Sequence, residues 1–187
     1  QMDRCFDRYF ILCRETAAAC SLSWQEALAL LRLQEYTGQV RRGYFVKGFS
    51  GAQFIRSRDF EVVTAFLRHP QEDMLWLNAA DPAQPWGKLL AHEPGLAFVN
   101  VPGTAVCFRG GTPVALFERQ GKTLKILSGC GPEETEAALQ LFVLENRAGR
   151  IYGGRKRIVV KEYPAEAGAA LEKSGFLREM QDYTLYR

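Results

Sequence analysis

The chain has 187 residues, with 24 basic and 21 acidic side chains and a net charge of +3. Its apolar share of 47% and charged share of 24% are typical of a globular protein and exclude a disordered, collagen-like or rod-shaped chain. No apolar run approaches the roughly 20 residues that a membrane span needs. The first residues, Gln1-Met2-Asp3-Arg4, hold no apolar signal core. We therefore expect a cytoplasmic piece of a longer protein with no membrane partner.

The first 70 residues carry signals for helices and for a hairpin. Ser23 and Glu26 form a capping box, and apolar residues at helical spacing follow it. Two glycines, Gly48 and Gly51, mark a turn between two short strands. The predicted elements are a helix over 4–18, a helix from Ser23 to Gly38, strands over 39–46 and 52–55, and a helix over 59–69 that ends before Pro70. This order of elements is typical of a winged-helix module, which we assign to residues 1–70.

The remaining residues, 71–187, predict a second, α+β accessory domain. Gly110-Gly111 and Gln120-Gly121 separate three apolar segments, which favours an antiparallel meander. The predicted elements are strands over 96–101, 104–109, 113–119 and 123–127, a helix over 132–146, a strand over 158–163, a helix over 165–174 and a strand over 176–186. The predicted fold class is α+β: a winged-helix-like module packed on a mixed, mainly antiparallel β-sheet or barrel unit with flanking helices.

Positive charge is concentrated in two stretches, residues 36–58 and 147–161. Together they hold eleven of the 24 basic residues and no acidic residue, so the rest of the chain has 13 basic and 21 acidic residues, a net charge of −8. A local field of this kind suits a phosphate backbone, and exposed aromatic rings beside it suit a stacked base. The alternative is a solvated hairpin whose aromatic residues pack inward. The predicted nucleic-acid contacts are Arg41, Arg42, Lys47, Arg155, Lys156 and Arg157 for phosphates, with Tyr44 and Trp86 for stacking.

The sequence gives little support for catalysis by this fragment. Gly121-Lys122-Thr123 is the tail of a phosphate-binding loop, but Leu116 stands where the first glycine is needed, so we predict a hairpin turn. Asp81 and Asp182 are the carboxylates in the most suggestive company, and either could serve base excision on a flipped nucleotide. The alternatives are an Asx turn before Pro82 for Asp81 and an ordinary polar strand residue for Asp182.

The cysteines and histidines do not form a metal-binding motif. No two of the five cysteines have zinc-knuckle spacing, and the two histidines, His69 and His92, are far apart in the chain. We expect reduced, mostly buried thiols. The prediction is that this fragment has no metal, no cofactor and no ATPase activity of its own.

Three motifs together resemble one family. They are the string Gly38 to Phe54 (GQVRRGYFVKGFSGAQF), Ala79 to Gln84 (AADPAQ) and Arg109 to Ala115 (RGGTPVA). They resemble the C-terminal region of the Lhr (large helicase-related) DEAD/DEAH-box helicases, over about residues 4 to 127. Upstream, Arg8 to Arg14 resembles a further family motif, although Phe10 stands where the family has glycine.

The resemblance implies an accessory module of a superfamily 2 helicase, an ATP hydrolase that moves along single-stranded DNA and is associated with DNA repair. ATP and Mg²⁺ would then be bound by RecA-like motor domains upstream in the same chain. The implied partners are those motor domains and single-stranded or tailed duplex DNA. Two alternatives remain: a glycosylase-like base-excision module, and a protein-docking platform for the motor domains.

Overall fold

The structure, a computed structural model, describes residues 1–69, 71–127 and 129–187. Pro70, the predicted helix stop and end of the first module, lies outside the described residues. The chain divides into two compact units. Unit 1 comprises Gln1–Gln71 with Lys88–Ala91, and unit 2 comprises Glu72–Gly87 with His92–Arg187.

Unit 1 has the element order of a winged helix. Its elements are α1 (Met2–Tyr9), β1 (Ile11–Leu12), α2 (Arg14–Ala19), α3 (Trp24–Tyr36), β2 (Val40–Gly43), β3 (Gln53–Arg56) and α4 (Phe60–Arg68). The three strands form an antiparallel sheet in the order β1-β3-β2. Residues 44–52, which connect β2 to β3, are called the wing below.

Ser23 is the N-cap of α3, since its Oγ accepts a hydrogen bond from the Glu26 amide at 3.5 Å, but the reciprocal bond of a capping box is not among those of the described residues. The inner face of α3 buries Ala27 and Leu31 against β2 and β3 residues such as Phe54. Each large apolar side chain buried in this way contributes about 1.5–3 kcal/mol. Packing of the inner face therefore fixes which side of α3 faces outward.

The predicted helix over 4–18 is wrong, because the chain breaks at Phe10. Phe10 has φ 59°, in the left-handed region that favours glycine, and its amide donates to the Phe6 carbonyl at 2.7 Å. Ile11 and Leu12 then pair with Ile55 and Phe54 of β3 before α2 begins. The left-handed backbone explains the glycine at this position in the Lhr motif.

Unit 2 consists of two antiparallel sheets and two helices. Its elements are β4 (Met74–Asn78), β5 (Ala105–Arg109), β6 (Thr112–Glu118), β7 (Thr123–Ile126), α5 (Pro132–Arg147), β8 (Arg157–Val160), α6 (Gly168–Lys173), β9 (Leu177–Glu179) and β10 (Asp182–Tyr186). The strand orders are β4-β5-β6-β7 and β8-β10-β9. The α+β class is confirmed. Neither sheet closes into a barrel within the described ranges, and no helix there is long and apolar enough to cross a membrane.

An aromatic cluster forms the centre of the unit 2 core. The Trp76 ring centroid lies 5.7 Å from that of Phe117 and 5.1 Å from that of Phe142, and the last two are 4.2 Å apart. Trp76 Nε1 donates to the Ala138 carbonyl of α5 at 2.7 Å. The cluster thus joins the meander to α5, with its one polar hydrogen satisfied.

The turns of the meander are as predicted, and two strand predictions are wrong. Gly110 and Gly111 have φ 54° and 86° between β5 and β6. Gly121 has φ 94° in the turn before β7, and a Cβ at this position would clash with Ile158 Cγ2. Residues 96–101 form irregular backbone without a pairing strand. The predicted last strand over 176–186 is a hairpin, β9 and β10, around Met180 at φ 57°.

Candidate nucleic-acid interface

The wing is held in place by a buried glutamine at the start of β3. Gln53 is 1% exposed, and its Oε1 accepts hydrogen bonds from the amides of Phe45 and Val46 at 2.8 Å each. Its Nε2 donates to the Val46 carbonyl, also at 2.8 Å. The Gln53 side chain therefore provides hydrogen-bond partners for three backbone groups that have no partner in the sheet. These three bonds give the start of the wing a defined conformation.

A carboxylate of α2 holds the other end of the wing. Glu15 Oε1 accepts from the Ser50 amide at 2.9 Å and from the Ser50 hydroxyl at 2.7 Å. Burial by itself would raise the pKa of Glu15, but these hydrogen bonds outweigh it and lower the pKa to about 2. Gln53 and Glu15 were not identified from the sequence. Nothing in the local sequence indicates that Gln53 contacts Val46, 7 residues away, or that Glu15 contacts Ser50, 35 residues away.

Three predicted contacts lie on or beside this anchored segment. Arg41 is exposed on β2, and its guanidinium lies 4.4 Å from the centroid of the Phe60 ring. The Tyr44 side chain is 86% exposed. Lys47 is exposed at the tip and forms no ion pair with any residue that the structure describes. The structure thus brings two cations and an aromatic ring to one exposed segment.

Arg42, the fourth predicted contact in unit 1, is engaged by an acid. Successive side chains of a strand point to opposite faces, so Arg41 and Arg42 diverge. Arg42 Nε lies 3.2 Å from Glu35 Oε1 of α3. Glu35 therefore weakens the attraction of Arg42 for a phosphate, and the charge count of residues 36–58 does not include this neighbour.

A further arginine of the same stretch serves the fold. Arg56 has a side chain only 12% exposed, and its guanidinium contacts Asp7 at 2.7 Å and Asp59 at 2.6 Å. It also lies 5.4 Å from the centroid of the Phe6 ring. Arg56 joins α1 to the end of β3 and is not available to a phosphate.

The outward face of α3 is not basic. In helix-turn-helix proteins this helix enters the major groove. Here its exposed residues include Glu26, Leu30 and Leu33, and Arg32 is the single cation in its sequence. Leucines and a glutamate gain little from a phosphate backbone, so the wing is the part of unit 1 suited to nucleic acid.

The second basic stretch lies in unit 2. Arg155 and Lys156 are exposed and form no ion pair with the described residues. Arg157, on β8, contacts Glu179 Oε2 at 3.3 Å, and its guanidinium lies 5.8 Å from the centroid of the Tyr186 ring. The stretch therefore leads into β8, where Arg157 lies beside Glu179 and Tyr186.

Trp86 is half-buried, and hydrogen bonds hold both its indole nitrogen and its backbone carbonyl. Its Nε1 donates to the Gly111 carbonyl at 2.9 Å, and its own carbonyl accepts from Asn100 Nδ2 at 3.0 Å. The ring packs against a small apolar cluster that includes Phe108. Its stacking on a base stays a prediction, made for a side chain that already has a structural role.

The AADPAQ motif builds a loop in unit 2. Asp81 Oδ1 accepts from the Ala83 amide at 2.8 Å, which is the Asx-turn alternative. Gln84 is 1% exposed, and its Nε2 donates to the Ala79 carbonyl at 2.8 Å and to Asn100 Oδ1 at 2.6 Å. Each polar residue of the motif thus has a contact within the fold.

Asp182, the other catalytic candidate, lies near a lysine. Asp182 is the first residue of β10, and its Oδ2 is 4.0 Å from Lys161 Nζ.

The cysteines and the other potential metal ligands in the part of the chain that the structure describes form no reactive site. Burial is the main cause that raises the pKa of the Cys5 and Cys107 thiols to about 12, so neither supplies thiolate at neutral pH. Within 1–69, 71–127 and 129–187, no group of three or more metal-binding side chains comes together.

Residues 1–74 match the family model described as large helicase-related protein, winged-helix domain. The first unit is an Lhr-type winged-helix domain. The chain is also 32% identical over 131 residues to the Lhr helicase/uracil glycosylase of Escherichia coli (strain K12), covering 64% of this chain. It is 32% identical over 129 residues to the Lhr helicase/probable uracil glycosylase of Mycolicibacterium smegmatis, covering 63% of this chain. The match spans 8% of the length of each relative. The predicted resemblance to the C-terminal region of Lhr-type helicases is confirmed.

Proposed function

We propose that this chain is a nucleic-acid-binding accessory module of an Lhr-type helicase, which positions single-stranded DNA for RecA-like motor domains upstream in the same protein. In this proposal the motor domains bind ATP and Mg²⁺, the module has no ATPase activity of its own, and the parent protein acts in DNA repair. The anchored wing carries the proposal. It presents Tyr44 and Lys47 to solvent on a segment that Gln53 and Glu15 hold at both ends, and Arg41 is exposed beside it on β2.

The first experiment measures the salt dependence of DNA binding. Fluorescence anisotropy of the 187-residue chain with labelled single-stranded and tailed duplex DNA, over a range of salt concentrations, gives the number of phosphate contacts from the slope. We expect micromolar binding that weakens steeply with salt. Absence of binding at low salt would contradict the proposal.

Single variants then locate the contacts. Arg41→Gln and Lys47→Gln should each weaken binding regardless of DNA sequence and reduce the salt slope by roughly 0.7–0.9, the value for one phosphate of a single strand or a duplex. Arg42→Gln should have a smaller effect, because Glu35 already contacts its guanidinium. Lys122→Gln, in the turn before β7 in unit 2, makes the same change in net charge at an exposed lysine and is the matched control. Equal effects of Lys47→Gln and Lys122→Gln would remove the wing from the interface.

The acid beside the wing gives an independent check. Glu35→Gln should strengthen binding at low salt, because it removes a negative charge and frees Arg42 for a phosphate. Glu26→Gln, on the outward face of the same helix, is the control for net charge. Under the proposal Glu35→Gln strengthens binding more than Glu26→Gln does.

Base excision is a second candidate, favoured by the names of the two relatives, which include uracil glycosylase. Incubation with DNA that contains uracil or alkylated bases, followed by alkali, would produce strand scission. This candidate requires that scission is lost in Asp81→Asn or Asp182→Asn. A folded chain that binds DNA and gives no scission excludes it.

Protein docking is a third candidate, favoured by the outer face of α4. None of the residues of α4 is buried, and Val62, Phe66 and Leu67 are all more than half exposed. This candidate predicts binding to the isolated motor fragment that survives high salt and is lost in Phe66→Asp. Retention of binding by Phe66→Asp would exclude α4 as the docking element.

A further inference from the structure

One side of the β8-β10-β9 sheet in unit 2 is open. The side chains of Ile158, Val160, Tyr183 and Leu185 point to the other side, where they join the core. Because strand side chains alternate, Arg157, Thr184 and Tyr186 share the open side with Leu177 of β9. Arg157, Leu177 and Tyr186 are exposed there, and Thr184 is buried beneath them.

The Tyr186 ring is held in a fixed position on this open side. Its hydroxyl donates to Glu179 Oε1 at 2.7 Å, and Thr184 Oγ1 donates to Glu179 Oε2 at 2.9 Å. The Arg157 guanidinium contacts the same carboxylate at 3.3 Å and lies 5.8 Å from the ring centroid. Tyr186 is nevertheless 43% exposed as a residue. Glu179 therefore orients the ring without covering its outer surface.

The open side combines side chains from all three strands of the sheet. Tyr186 lies directly opposite Arg157 on β8 and diagonal to Leu177 on β9. Neighbouring strands are about 4.8 Å apart, so the three strands present a surface roughly 10 Å across. An aromatic ring, an aliphatic side chain and a guanidinium on a flat sheet are the groups with which proteins bind an unpaired base and its phosphate.

The charges around the open side favour a polyanion. Arg155 and Lys156 are exposed immediately before β8, and Lys161 follows it. The two acids of the same side are both engaged: Glu179 accepts hydrogen bonds from three side chains, and Asp182 lies 4.0 Å from Lys161 Nζ. Residues 147–161 contain no acid at all.

We propose that this open side is a second single-strand contact, in which an unpaired base stacks on Tyr186 beside Leu177 while Arg155 and Lys156 contact the flanking phosphates and Arg157, paired with Glu179, positions the ring. The inference rests on the proposed function, since it requires that the chain binds single-stranded nucleic acid. It adds a site in unit 2 that is separate from the wing of unit 1 and that requires an unpaired base.

The test compares Tyr186→Ala with Tyr186→Phe in anisotropy titrations of a labelled single strand and of a fully paired hairpin of the same charge. Tyr186→Ala should weaken single-strand binding about tenfold, because base–aromatic stacking contributes an affinity of this order. Tyr186→Phe should stay within about twofold of wild type, since it keeps the ring. Binding of the paired hairpin should be unchanged in both. Phe66→Ala, which removes an exposed ring from α4, is the matched control.

A crosslinking measurement on the wild-type chain keeps the proposal testable if Tyr186→Ala fails to fold. Single strands with 5-bromouracil, irradiated with the chain and digested, should yield a crosslinked peptide that contains Tyr186. Loss of affinity in Tyr186→Phe equal to that in Tyr186→Ala, or wild-type affinity in Tyr186→Ala, overturns the proposal, as does crosslinking confined to unit 1. If the wild-type chain binds no single strand, the proposed function itself fails. Wild-type binding that Tyr186→Ala leaves unchanged refutes this site alone.

Discussion

Gln53→Met tests whether one buried side chain fixes the conformation of the wing. Methionine keeps the length and apolar stem of glutamine but removes three hydrogen bonds of 2.8 Å, two from amides and one to a carbonyl. A neutral hydrogen bond contributes about 0.5–1.5 kcal/mol net. Because Phe45 and Val46 are only half-buried, water replaces part of this loss. We expect the free energy of opening of the wing to fall by about 2 kcal/mol, which is about 30-fold in an opening equilibrium.

Amide hydrogen exchange of the 187-residue chain measures this effect where it occurs. The amides of Phe45 and Val46 should exchange about 30-fold faster in Gln53→Met, while amides in α5 of unit 2 keep their wild-type rates. Gln25→Met makes the same chemical change at an exposed position of α3 and should leave the wing unaffected. Single-strand affinity should also fall in Gln53→Met, although no predicted DNA contact is removed. A change of less than threefold in exchange at Phe45 and Val46 would refute the reasoning.

Three further predictions concern stability. Phe10→Gly should stabilise unit 1 by about 0.5–1 kcal/mol in urea unfolding, because glycine relieves the left-handed backbone at φ 59°; a lower midpoint would contradict this. The stabilisation from Glu15, whose pKa is lowered to about 2, is complete above the ordinary pKa of 4.5 and is lost as the pH falls towards 2. Allowing for solvent screening, wild type should lose roughly 1 kcal/mol more than Glu15→Gln between pH 5 and pH 2.5, and equal losses would show that the Ser50 contacts do not stabilise the wing. Gly121→Ala should lower the free energy of unfolding of unit 2 by about 2 kcal/mol, seen as a lower melting temperature, because the added Cβ would clash with Ile158 and alanine is strained at φ 94°. The control is Gly111→Ala, which has φ 86° but open space around the added Cβ and should lower the free energy of unfolding by less.

Much of the fold follows from local signals in the sequence. The helix N-cap at Ser23 and the turn at Gly110-Gly111 depend on residues within four positions of one another, and both are found. Failures occurred where the structure depends on distant partners. Ile11 and Leu12 form a strand only because Ile55 and Phe54 pair with them, and this pairing overrides a helical pattern that continues through Phe10. Hydrophobic periodicity has no means of showing such a partner.

The candidate interface was predictable only in outline, for a related reason. A charge count over residues 36–58 contains no acid, yet the fold brings Glu35 to Arg42 and Asp7 to Arg56 from outside that stretch. The attraction for a phosphate depends on the charge left after such pairing.

In unit 2 the fold has the opposite effect: it brings an aromatic residue from outside the basic stretches next to a basic residue. Tyr186 lies 29 residues beyond Arg157 and outside both basic stretches, but strand pairing between β8 and β10 places the two residues directly opposite each other. The sequence therefore indicates which segments are basic, whereas strand register decides which cations stay available and which aromatic ring lies beside them. In the wing and on the open sheet side of unit 2 an exposed ring lies near exposed cations, so variants with a matched control test each place separately.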